Sequence, residues 1–137
     1  MRAKIKSDIG FYVGDICYVL ADELYHKVWG GIYEYQDCVV KDPKTGLHFA
    51  VAGTAWGDGG YIGSDGVEYS VDAGVIGLVP IELVRNVDEA EGYGARIIRG
   101  EGIATFWSAD GVFKIVFPNG EVIEIDTAKE WADRGWY

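Results

Sequence analysis

Cys17, with His26 or His48 as a base and Asp15 to orient the imidazole, is the set of side chains best suited to nucleophilic chemistry. A thiol nucleophile needs a base within reach, and the base needs a third group to orient it. The setting of Cys17 argues against that use. Ile16, Tyr18, Val19 and Leu20 surround it, and a cysteine in such a run behaves as a small buried hydrophobe, whereas reactive thiols sit in accessible, electropositive places. His26 falls on the surface of a helical run. A cysteine-dependent hydrolase or transferase using Cys17, His48 and Asp15 is therefore the second reading. Cys17 and Cys38 form no Cys-x-x-Cys pair and there are only two histidines, so a disulfide framework and a zinc site are both excluded.

Carboxylates offer a different chemistry. The segment from Thr54 to Pro80 holds seven glycines and three aspartates, Asp58, Asp65 and Asp72, and hard cations favour clustered carboxylates and backbone carbonyls. An EF-hand loop beginning at Asp58 fails, because its third, fifth and twelfth positions are Gly60, Ile62 and Tyr69. An irregular calcium site on Asp58, Asp65 and Asp72 stays open as a third reading. Gly57-Asp-Gly-Gly60 lacks the Lys-Ser/Thr of a phosphate loop and opens no helix, so nucleotide binding has no support and no cofactor is expected. The first reading is a binding or interaction module without catalysis. Trp56, Asp58, Tyr61 and Asp72 are its candidate contact residues, since an aromatic beside an acid can hold a sugar, a peptide or a cationic group. The competing role for Tyr61 and Tyr69 is to fill a β core in which Gly63 and Gly74 leave room for rings.

The elements that must position these residues are mainly strands. Turn signals are frequent and helix-length periodic runs are scarce, which predicts a mainly β (α+β) fold: a compact antiparallel sheet, or a partly open barrel or sandwich. One helix is expected near residues 22–30, with Asp22 at its N-cap, Leu24, Tyr25, Val28 and Trp29 on its apolar face and Gly30-Gly31 as its stop. A short C-terminal helical turn is expected from Thr127, with Glu130 completing a capping box, Gly135 as terminator and Trp131 as anchor.

Residues 112–126 read as a hairpin closed by Pro118-Asn119-Gly120. That three-residue loop pairs Ile115 with Ile123, Phe113 with Ile125 and Lys114 with Glu124, whereas a two-residue Asn-Gly loop would set carboxylates opposite core side chains. Ile103–Trp107 adds a third strand to make a meander. Asp-Gly-Val recurs at Asp65 and Asp110, as expected of two hairpin tips. Val75–Val79 suits a central strand ended by Pro80, and 86–94 reads as an acidic loop.

Composition sets the outer limits. The 137 residues fit one domain spanning 1–137, and 49% hydrophobic content excludes disorder as the bulk state. Residues 1–50 carry six basic and seven acidic groups; residues 51–137 carry six and fifteen, for a total of −10. Nucleic acid is therefore not an expected partner. Met1–Gly10 has no apolar signal-peptide core and no run is long enough to span a membrane, so a cytoplasmic monomer or small homo-oligomer is expected, binding a protein or a small molecule.

Three segments carry a resemblance. Gly14-Asp-Ile-Cys-Tyr-Val-Leu20, Thr54-Ala-Trp-Gly-Asp-Gly-Gly-Tyr61 and Val71-Asp-Ala-Gly-Val-Ile-Gly-Leu-Val-Pro80, in this order, resemble a family of small uncharacterised bacterial and phage-encoded proteins. In that family a Gly-Asp-Pro-Cys-Tyr-like segment precedes a Gly-Asp-Gly loop and a Val-Asp-Ser/Ala-Gly strand. Ile16 stands where proline is usual and Trp56 where tyrosine is common. The resemblance spans roughly residues 10–84 and implies no activity.

Overall fold

The computed structural model describes residues 1–129. Eleven strands make two sheets and a ribbon among them, and every strand pair is antiparallel. The first sheet has the order β1 (Arg2–Ser7), β9 (Gly102–Ala109), β10 (Val112–Val116), β11 (Val122–Asp126). The second runs β3 (Cys38–Lys41), β4 (His48–Gly53), β7 (Val75–Pro80), β2 (Gly10–Gly14), β8 (Arg96–Arg99). β5 (Gly59–Ile62) and β6 (Glu68–Val71) form the ribbon.

Two cores follow from the period-2 geometry of strands. Ile5, Phe106, Phe113, Ile115, Ile123 and Ile125 of the first sheet meet Phe11, Val13, Ala50, Ile76 and Leu78 of the second, and Tyr61, Tyr69 and Val71 of the ribbon close one side. Tyr12, Phe49, Val51 and Val79 alternate with those residues and face the other way, under Ile16, Leu20, Leu24, Val28 and Trp29. The five-stranded sheet is thus covered on both faces. This is why Val75–Pro80 is a continuous apolar run, with all six residues buried. Gly77 serves this packing directly. A Cβ there would stand 2.4 Å from Cγ2 of Ile16, so a side chain would push the covering turn off the sheet.

The 112–126 hairpin has the expected register, with Ile115 opposite Ile123, Phe113 opposite Ile125 and Lys114 opposite Glu124. Phe117 and Glu121 close a three-residue loop in which Gly120 takes φ 88°. The two Asp-Gly-Val sites are both hairpin tips but of different kinds. Gly63 and Val67 close a three-residue loop like that at Gly120, whereas Asp110 (φ 50°) and Gly111 (φ 80°) make a two-residue turn between Ala109 and Val112. Two left-handed residues in succession match the twist of the flanking strands.

The helical segments depart from expectation in detail. Glu23–Gly30 is helical, with Leu24, Val28 and Trp29 buried, but it is wound as a wider π-helix and Asp22 makes no side-chain cap. The helix ends at Gly30 with Gly31 as its C-cap, as expected, and the turn that follows closes at Glu34 (φ 57°) and Tyr35 (φ 55°). The Tyr35 ring folds back over Gly30, where a Cβ would lie 2.4 Å from the ring. Residues 86–94 are not a plain loop but a turn of helix, Val87–Ala90, followed by a 3-10 turn, Glu91–Tyr93, which buries Ala90. A helical turn does begin at Thr127, but its first-turn acceptor is Asp126 Oδ1, bonded to Lys129 N at 2.9 Å. Glu130, Trp131 and Gly135 lie outside the described residues. Among the described residues, no helix is long and apolar enough to cross a membrane.

The β1–β2 corner is held by a carboxylate. Glu82 accepts from Ser7 Oγ at 2.5 Å and from Asp8 N at 2.9 Å. Burial opposes its ionisation, yet these bonds outweigh burial and hold its pKa below the ordinary glutamate value. A depressed carboxyl stabilises the fold above its unfolded pKa, and that stability is lost as pH falls through the folded value. Glu82→Gln is expected to lower the melting temperature at pH 7 and to melt with the parent protein below about pH 4; a pH series of thermal melts checks this.

Candidate functional site

Asp15 is where the motif residues converge. Its side chain is fully buried, just beyond β2. Oδ1 accepts Cys17 N at 2.9 Å; Oδ2 accepts Asp72 N at 2.8 Å and Ala73 N at 2.7 Å. The carboxylate therefore starts the 3-10 turn Ile16–Tyr18 and grips the β6–β7 turn together. It is consumed as an acceptor of backbone N–H groups and orients no imidazole. Tyr12 Oη donates to the Asp15 carbonyl at 2.7 Å, and burial, reinforced by the Asp15 charge, raises the phenol's pKa.

Cys17 is close to Asp15, in a setting that disfavours its thiolate. Burial and the neighbouring Asp15 carboxylate push its thiol up to about 12, the reverse of what a nucleophile needs. His48 is not near it. His48 is exposed at the outer end of β4 opposite Lys41, whereas Gly53 at the other end of β4 approaches the β6–β7 turn. His26 does share a shallow depression of about 230 Å³ with Cys17, but its Nδ1 is engaged by Tyr35 Oη at 2.9 Å.

The three aspartates of the calcium reading are apart and two are committed. Asp65 accepts from Tyr69 Oη at 2.7 Å and pairs with Arg96 at 3.1 Å; Arg96 in turn reaches Glu121 at 2.7 Å. Asp72 accepts from Tyr18 Oη at 2.6 Å, and the Tyr18 ring stacks on Tyr93. Burial and this carboxylate acceptor raise the Tyr18 pKa. Among the described residues no three His, Cys, Asp or Glu side chains are grouped to hold a metal. Asp58 is exposed by itself on its loop. Tyr61 belongs to the core, with its hydroxyl on the Gly57 carbonyl at 3.0 Å. Trp56 is 48% exposed.

A line of hydrogen bonds runs from the Asp15 turn to the glycine-rich loop. Gly74, next to the gripped residues, accepts Thr54 N at 2.9 Å, and Thr54 Oγ1 donates to the Gly57 carbonyl at 2.6 Å. On the far side Ala55 N donates to Thr127 Oγ1 at 2.9 Å, and Thr127 Oγ1 donates to the Gly111 carbonyl at 2.5 Å. The loop is thereby pinned between the two sheets. Gly111 is required for this contact, since a Cβ there would stand 2.6 Å from Ala55.

Between the loop and the Asp110-Gly111 tip lies a cleft of about 610 Å³, lined by Asp37, Thr54, Ala55, Ser108 and Asp110 among others. Asp37 uses Oδ1 to accept Gly53 N at 3.0 Å, and both Asp37 and Asp110 are solvent-exposed. Sequence reasoning missed Asp37, Thr54 and Asp110 as wall-formers of this cleft. Asp110 was visible only as a turn residue and Thr54 only as the start of the glycine-rich segment, and nothing local distinguishes Asp37. Set against known proteins, the chain matches no family model, no curated protein and no solved structure.

Asp15→Ala should cost about 3 kcal/mol or more, because it strands three N–H groups at a buried corner; urea titration measures this. In a Cys38→Ser background, folded Cys17 should react with iodoacetamide at pH 8 at least about a hundredfold more slowly than in urea. Rapid labelling of the folded protein would restore the nucleophile reading.

Proposed function

We propose that the protein is a binding module without catalysis, and that its ligand-facing surface is the cleft between the glycine-rich loop and the Asp110-Gly111 tip. The observation that carries this is a concavity of about 610 Å³ walled on two sides by hydrogen-bonded turns and bordered by two exposed aspartates. Binding sites are commonly concave, largely preformed and provided with a few oriented polar groups. Asp37 and Asp110 supply acceptors for positive charge or for hydroxyls, beside the Met1 ammonium that the Ser108 carbonyl already holds. The ligand class is therefore a small cationic or polyhydroxylated molecule.

Membership of the group of small bacterial and phage-encoded proteins belongs to the same proposal. Two of its three motifs, those containing Asp15 and Asp72, meet at one carboxylate, and the third forms the loop that the cleft uses.

Titration with spermidine, arginine and glucosamine, followed by amide shifts in two-dimensional NMR, tests the reading. Shifts concentrated at 53–57 and 108–111, lost in the Asp37→Asn/Asp110→Asn double variant, are the expected result. Spectra unchanged at about 10 mM of every probe would remove it, since so weak an interaction lies below any useful affinity.

A further inference from the structure

We infer that the outer face of the four-stranded sheet is a second docking surface, separate from the cleft, for a protein partner whose contacting segment is acidic around an apolar anchor. Strand alternation turns Arg2, Lys4 and Lys6 of β1 outward while Ala3, Ile5 and Ser7 are buried. The register then builds rows across the sheet. Arg2 stands beside Trp107, Trp107 beside Lys114, and Lys114 beside Glu124. In the next row Lys4 stands beside Thr105, followed by Val116 and Val122; beyond it Lys6 stands beside Ile103. The result is a line of cations along one edge and an apolar centre. Trp107 is 40% exposed, Ile103 55% and Val122 41%. Arg2, Trp107 and Lys114 line a shared groove of about 260 Å³ with Thr105 and Val116.

Charge sets this face apart from the rest of the chain. The outward residues of the four strands include four basic side chains and two acidic ones, Glu124 and Asp126, net +2; the remaining residues carry eight basic and twenty acidic groups, net −12. Among the described residues Arg2, Lys4 and Lys6 make no ion pair, and Lys114 has only a 4.0 Å contact to Glu124 between two exposed side chains. No described element covers the face. Lysines on an edge strand also discourage strand addition, but that role requires neither an exposed tryptophan on β9 nor Lys114 on interior β10.

The chemistry of the face chooses among partners. Tryptophan and arginine at the centre of a patch with a charged rim are the usual anchors of protein interfaces. A single-stranded nucleic acid needs successive aromatic platforms. Among the outward residues of the four strands only Trp107 is aromatic, flanked by Arg2 and Lys114, so successive bases find no second platform. A two-fold pairing of this face with itself brings only two carboxylates, Glu124 and Asp126, to meet four cations. An acidic polypeptide segment meets both the charge and the apolar centre.

The test uses fluorescein-labelled synthetic peptides with Asp/Glu flanks around a Leu-Phe core, their Asn/Gln counterparts, and oligothymidylate, read by fluorescence anisotropy against the full chain. The acidic peptide should bind with an affinity that falls as salt rises, and the amide version about tenfold more weakly. Trp107→Ala and Lys4→Glu/Lys6→Glu should each reduce acidic-peptide binding about tenfold with an unchanged melting temperature. If Trp107→Ala perturbs the fold, Lys114→Glu carries the same expectation. The proposal is overturned by any of four results: no saturable peptide binding at about 1 mM, equal binding by folded variants, tighter binding of oligothymidylate, or self-association in sedimentation that Trp107→Ala abolishes.

Discussion

The Asp15 carboxylate is the constraint on which the arrangement of the second core depends. The five-stranded sheet is buried on both faces, so the chain leaving β2 must cross its end without stranding backbone donors. Cys17, Asp72 and Ala73 all present N–H groups there, and one buried carboxylate accepts all three. Buried backbone groups are almost always paired. Here a side chain does what a ladder cannot, because the three donors belong to two turns and not to paired strands. The covering turn then brings Ile16 against Gly77, and the remainder of the covering layer follows from that placement.

The same junction engages the residues whose types suggested reactivity. A carboxylate that holds three amides is not available to an imidazole, and its proximity together with burial disfavours the Cys17 thiolate. Asp72 is spent on Tyr18 and Asp65 on Tyr69 and Arg96. The surface that the fold does not consume comprises a cleft bordered by two carboxylates and a basic, partly apolar sheet face on an otherwise acidic molecule, and the proposed binding roles rest on these.

Legibility in the sequence followed locality. The 112–126 hairpin was readable down to its register because loop length, glycine position and side-chain alternation all lie within fifteen residues, and only one register keeps carboxylates off the core. The central strand Val75–Pro80 was equally plain, since a strand covered on both faces has no polar alternation. The helix was visible as an apolar stripe with a glycine stop, and it ends there; hidden from the sequence were its π winding and the second use of Gly30, which admits the Tyr35 ring from five residues ahead. In the glycine-rich segment the rings of Tyr61 and Tyr69 proved to be core, whereas Trp56 and Asp58 stayed exposed.

The sequence by itself determined the mainly β character, the register of the 112–126 hairpin and the charge imbalance, because periodicity, turn chemistry and residue counts are properties of neighbouring positions. Only the tertiary structure decided which carboxylates are free. Asp15 and Asp72 are separated by fifty-seven positions and Thr127 and Ala55 by seventy-two, and no local pattern reports that such groups will share a hydrogen bond. The basic face was hidden for the same reason. Arg2, Trp107 and Lys114 become neighbours only when β1 pairs with β9, and that pairing is set by which faces of distant strands must be buried together.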